Sequence, residues 1–97
     1  MRKLIIAIVL SVFSIGASAN QNECNTLHRV ATKIMEVRQQ GVPITQVIEA
    51  TSSSPSFHGL IREAYKIPLK EYQSGKETAI NEFANKVYLV CVEAESV

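Results

Sequence analysis

The chain has no tryptophan, no aspartate, and only two cysteines and two histidines among its 97 residues. Each shortage closes off some chemistry. A structural zinc site takes about four ligands. Cys24 and His28 stand four residues apart and could share an ion, but only His58 and scattered glutamates remain to complete the set. Nucleophilic catalysis needs a serine or thiol beside a base and an orienting acid. No Gly-x-Ser-x-Gly elbow is present, and Ser52, Ser53 and Ser54 lie in a chain-breaking stretch where serine is common. With aspartate missing, every carboxylate is a glutamate on a helical surface pattern, and no pair is placed to share a cleft. No cofactor motif, internal repeat or long polar tail is found. The reading is of a protein that is not an enzyme and takes neither metal nor cofactor.

Long apolar runs are also missing, except at the start. Met1-Arg2-Lys3 is a short basic region, Leu4 to Ile15 is apolar apart from Ser11 and Ser14, and Ala17-Ser18-Ala19 has the small-x-small form that signal peptidase reads. Basic, apolar and small parts in that order make a secretory signal peptide, residues 1–19. The apolar part is shorter than the roughly 20 residues a spanning helix requires, so no stable membrane anchor is expected after cleavage. Gln21-Asn22-Glu23 ahead of Cys24 does not resemble a lipobox. The mature protein, residues 20–97, is expected in the periplasm or secreted. Removing Arg2 and Lys3 leaves eight basic residues against nine glutamates. A nearly neutral domain with no basic stripe argues against nucleic acid as a partner.

What remains is helical pattern. From about Glu23 to Gln40, Cys24, Leu27, Val30, Ala31, Ile34, Met35 and Val37 recur in steps of three and four, with Asn25, Arg29, Lys33, Glu36, Arg38 and Gln39 on the other side. Asn22 can cap this helix, and Gly41 can end it in a left-handed turn. Val42-Pro43 leads into a short helix with the proline in its first turn and Ile44, Val47, Ile48 and Ala50 on its apolar side. Ser52-Ser53-Ser54-Pro55 breaks the chain, and Ser54 or Ser56 can cap a third helix over about Phe57 to Lys66. That helix turns Leu60, Ile61, Ala64 and Tyr65 inward and ends before Pro68. Ser74-Gly75-Lys76-Glu77 reads as a capping box. After it Ala79, Ile80, Phe83, Ala84, Val87, Tyr88, Val90, Cys91 and Ala94 keep helical spacing almost to the C-terminus.

Cys24 and Cys91 fall on the apolar stripes of the first and last helices. In a small exported domain such a pair is usually a disulfide. Bonding them brings the start of one long helix to the end of the other, which sets the two antiparallel with their stripes facing. The expected fold is all-α, a small bundle of about four helices, two long and joined by the disulfide, two short and covering the remaining side.

Between Ser52 and Gln73 the chain carries more apolar and aromatic surface than a short helix and its loops readily bury. Phe57, His58, Tyr65, Ile67, Leu69 and Tyr72 form the candidate binding face, because aromatics held on loops by a rigid scaffold are enriched at protein interfaces.

Cys24, the run Ile34 to Pro43, Leu60-Ile61-Arg62-Glu63-Ala64-Tyr65 and Tyr88-Leu89-Val90-Cys91-Val92 resemble small exported helical proteins of unassigned function from bacterial and prophage genomes. The resemblance implies compartment, fold and disulfide, and no activity. Periplasmic acid-stress chaperones and periplasmic immunity proteins are similar in general design. The chain lacks the abundant carboxylates with which such chaperones open in acid. The expectation is a protein-binding module of inhibitor, immunity or phage-exclusion type, whose partner is an envelope protein or an incoming toxin or phage component. A stress chaperone is the alternative and a small enzyme the third reading; a homodimer is compatible with the broad stripe of the last helix.

Overall fold

A computed structural model describes residues 21–95, and the expected signal peptide and its cleavage point lie outside the described residues. The elements are α1 (Gln21–Gln39), α2 (Ile44–Ala50), a 3-10 turn (Pro55–Phe57), α3 (His58–Tyr65) and α4 (Gln73–Glu95). The architecture is all-α with four helices, as the periodicity predicts.

The long helices α1 and α4 form the main interface, α3 packs on α1, and α2 packs on α3. At one end of the long pair Cys24 and Cys91 are joined, with their Cα atoms 5.6 Å apart. One turn further along, the His28 ring meets the Tyr88 ring edge-on at 6.0 Å. At the far end the Lys76 ammonium donates to the Gln39 main-chain carbonyl at 2.9 Å. Each step forward along α1 is thus matched by a step back along α4, which makes the pair antiparallel. Ala31 stands seven residues after Cys24 and Ala84 seven before Cys91, so the register sets two small, fully buried side chains level. Ala31, Ile34 and Met35 of α1, Leu60, Ile61 and Ala64 of α3, and Ala79, Phe83, Ala84 and Val87 of α4 make the core with the two cysteines.

The end of α1 is a Schellman motif. Gly41 takes φ +85°. Its N–H donates to the Arg38 carbonyl, and the Val42 N–H donates to the Val37 carbonyl.

The two short helices make different contacts. α3 covers α1 directly, while α2 leans on α3 with Val47 buried, Ile44 and Ile48 half-buried and Ala50 exposed. Four local expectations are corrected. Neither Ser54 nor Ser56 caps α3, which the 3-10 turn leads into directly with no side-chain cap. Asn22 is already helical, its carbonyl accepting from the Thr26 hydroxyl at 3.1 Å, so a turn of helix leads into the buried Cys24. Pro43 stands just ahead of α2, and its carbonyl accepts the first helical bonds. α4 begins at Gln73, so Ser74 lies inside the first turn and does not cap it. There the Tyr72 carbonyl accepts from the Lys76 N–H, and the Glu77 carboxylate accepts from the Gln73 amide at 3.2 Å. Lys76 is tied across to α1 at the same point, and that tertiary contact wins over the local box.

Candidate functional site

The connection from α3 to α4, residues 66–72, has no regular ladder for its main-chain groups, and such groups need partners wherever water is excluded. α1 supplies them from its last turn. The Gln39 side chain is 3 % exposed. Its amide nitrogen donates to the Pro68 carbonyl at 3.1 Å and lies 3.6 Å from the Met35 sulfur, while its amide oxygen accepts from the Lys70 N–H at 2.9 Å. One side chain therefore bonds both a donor and an acceptor of the connection, as a neighbouring strand would. Arg38 adds a bond from Nε to the Ile67 carbonyl at 2.9 Å. Its guanidinium carbon also sits 5.0 Å from the centre of the Tyr65 ring, within cation–π range. The Tyr65 hydroxyl donates to the Val42 carbonyl, tying α3 to the turn after α1. Burial raises the Tyr65 hydroxyl above its ordinary pKa of 10.0, and the positive charge of Arg38 opposes that rise.

This clasp departs from the sequence reading, which put Arg38 and Gln39 on the polar side of α1. Gln39 follows Met35 by four residues and so continues the buried stripe. It is tolerated there because each polar end of its amide has a partner. The signal was present in the spacing, and in a connection whose main-chain groups need partners.

The six residues of the expected binding face divide. Phe57, Tyr65 and Ile67 are half-buried and pack against the core. His58 opens α3 half-buried, with its Nε2 enclosed and without a hydrogen-bond partner among the described residues. Leu69 and Tyr72 stand out at 47 % and 73 % exposed. Leu69 lies within the stretch that Gln39 and Arg38 hold, and Tyr72 follows three residues after it.

An open groove of about 420 Å³ lies between the connection and the first half of α4. Ile67, Gly75 and Ala79 form its more buried part, and the exposed Lys70, Ser74, Thr78 and Glu82 line its rim. Glycine at 75 allows the close approach of the connection: a Cβ there would stand 3.2 Å from the Lys70 Cβ.

The two cysteines are fully buried in their disulfide. His28, its neighbour one turn on, packs against Tyr88. Among the described residues no three histidine, cysteine or acidic side chains converge as a metal site would require, and no helix is long and apolar enough to cross a membrane. Fold and site together define a small all-α protein closed by one disulfide. Compared with protein-family models, curated proteins and solved structures, the chain finds no match.

Proposed function

We propose that this chain is a small exported protein-binding module, acting by occupation of a partner and with no chemistry of its own. The observation that carries the reading is the fixed display of Leu69 and Tyr72, exposed on a connection that side chains of α1 hold through its main chain. Fixing a loop in advance removes part of the ordering cost of association, which gives the buried amide of Gln39 a purpose beyond packing. An oxidising compartment, periplasmic or extracellular, suits the buried disulfide. Inhibitor, immunity or phage-exclusion roles all fit such a module, its partner being an envelope protein or a toxin or phage component arriving from outside.

The test is affinity capture. The oxidised protein, recovered from the periplasm of an expressing bacterium and checked for an N-terminus at Asn20, is immobilised against envelope extract, toxin panels and phage lysates. A Leu69→Ser, Tyr72→Ser variant and a cysteine-free variant serve as controls. One stoichiometric partner, lost with both variants, is the expected result. Recovery of many unrelated proteins, increasing on acidification, would favour a stress chaperone instead.

A further inference from the structure

The groove between the connection and α4 carries its own information about the partner, and the inference that follows rests on the binding-module reading. Several charged groups of the connection and its neighbours are engaged. Lys66 pairs with Glu63 at 3.0 Å, Lys76 holds the Gln39 carbonyl, Glu77 accepts from Gln73, and Arg38 holds the Ile67 carbonyl. Among the described residues the Lys70 ammonium and the Glu82 carboxylate, which both line the groove, find no such partner. Lys70 lies against Gly75 in the first turn of α4. Glu82 is seven residues further along that helix, or about 10 Å at a rise of roughly 1.5 Å per residue. The attachment points of two oppositely charged side chains therefore lie about 10 Å apart along the helix axis, with Gly75 and Ala79 between them and Ser74 and Thr78 on the rim.

We propose that this groove is a docking site for an extended segment of a partner protein, one that lays an apolar side chain against Ile67 and Ala79, turns an acidic residue to Lys70 and a basic residue to Glu82. The spacing of the two attachment points matches about three residues of extended chain at roughly 3.3 Å each. The mixed sign of the rim selects the occupant. An anionic lipid surface or a nucleic acid would gain from Lys70 and be repelled by Glu82, whereas a dipolar peptide gains from both. The openness of the groove points the same way. A free small molecule bound well is mostly enclosed by its pocket, but a segment of a larger protein can cover Leu69 and Tyr72 at the same time. Gln39 is here a positioning residue: it holds Pro68 and Lys70 so that the lysine stands over Gly75.

The probe is a phage-displayed random heptapeptide library panned on the oxidised protein, followed by affinity measurement with the synthetic consensus peptide. Enriched sequences are expected to carry one acidic and one basic residue two to four positions apart with an apolar residue between them. Filling the groove with Thr78→Trp or, as an independent variant, Ser74→Trp should weaken the consensus peptide by about tenfold or more, since each removes the central contact. Both positions are exposed, and an unchanged melting curve confirms the fold. Lys70→Glu should weaken the same peptide, and changing the peptide's acidic residue to lysine should restore it. Leu89→Ala, at an exposed position toward the other end of α4, should change nothing.

Three outcomes would overturn the proposal: no enrichment, a consensus without the acidic residue, or equal binding to both filled variants. In the last case the module reading stands and only the groove is lost. Dimerisation, or sedimentation with anionic vesicles, abolished by Thr78→Trp would assign the groove to another occupant and overturn it as well. If capture also finds no partner for the unaltered protein, the module reading fails with it.

Discussion

Gln39 is the polar side chain buried most deeply among the described residues, and its cost or benefit turns on whether its bonds are made. An amide taken from water without partners costs a few kcal/mol, while each satisfied bond contributes about 1 kcal/mol net. Leucine at this position fills a similar space but leaves the Lys70 N–H and the Pro68 carbonyl to find water. Gln39→Leu is therefore expected to lower stability by about 1–3 kcal/mol, read from the urea midpoint. Hydrogen exchange at the Lys70 amide should speed up far more than in the middle of α1. Unchanged exchange at Lys70 would mean that something other than Gln39 holds the connection. Tyr65 allows a second test at this scale. Its hydroxyl is raised in the folded protein by burial, so the unfolded chain loses its proton first as pH rises. The stability tied to the neutral phenol is whole below the ordinary tyrosine value and is lost as pH climbs from there through the raised value. Melting temperatures across pH 8–11 should fall more steeply for the unaltered protein than for Tyr65→Phe. The phenylalanine variant starts lower because it lacks the bond to Val42. Parallel curves would remove Tyr65 from the alkaline response.

At the scale of elements, the backbone end of α1 can be tested apart from its side chains. Gly41 takes φ +85°, and a Cβ placed there would meet nothing within 4 Å. Gly41→Ala therefore isolates backbone strain from crowding, at about 1 kcal/mol for a left-handed alanine. Gly41→Asn should recover part of that loss, since asparagine tolerates this region better. A loss well above this in denaturant melts would show that the turn does more than end the helix. These elements were also what the sequence made most legible. Stripes of three- and four-residue spacing, Gly41 and Pro55 placed all four helices, and the two cysteines set the direction of the long pair. What stayed hidden was decided by contacts across the chain. Ser74 and Glu77 satisfy the local pattern of a capping box, yet the tie from Lys76 to Gln39 accompanies a start at Gln73. Likewise the aromatic segment could be marked as a whole from composition. Which members pack and which project depends on α1 reaching across to residues 67–70, a pairing that no local window contains.

For the whole molecule the governing term is the crosslink. Cys24 and Cys91 are separated by 67 residues. Closing a loop of that length in the unfolded chain is worth about 4 kcal/mol on the chain-entropy account. A domain this small has a net stability of only several kcal/mol to lose, so Cys24→Ala with Cys91→Ala should leave much of the population unfolded, seen as loss of far-ultraviolet helical signal at 37 °C. Burial of the bond adds a kinetic expectation. Both cysteines are fully enclosed between α1 and α4, so a thiol reductant reaches the bond only when the helix ends separate. Reduction under native conditions should then be slow and should accelerate with urea in proportion to the opened population, until the protein is unfolded and the rate levels off. On the proposed binding-module reading, the same logic couples redox state to binding. Once reduced, the protein loses the antiparallel α1–α4 frame that holds Gln39 against the connection, and with it the fixed display of Leu69 and Tyr72. Reduction followed by mass, alongside capture of the partner, checks both together: binding should decay with the same time course as the bond. Rapid, urea-independent reduction with the fold intact would place the disulfide outside the frame that supports the proposed binding face.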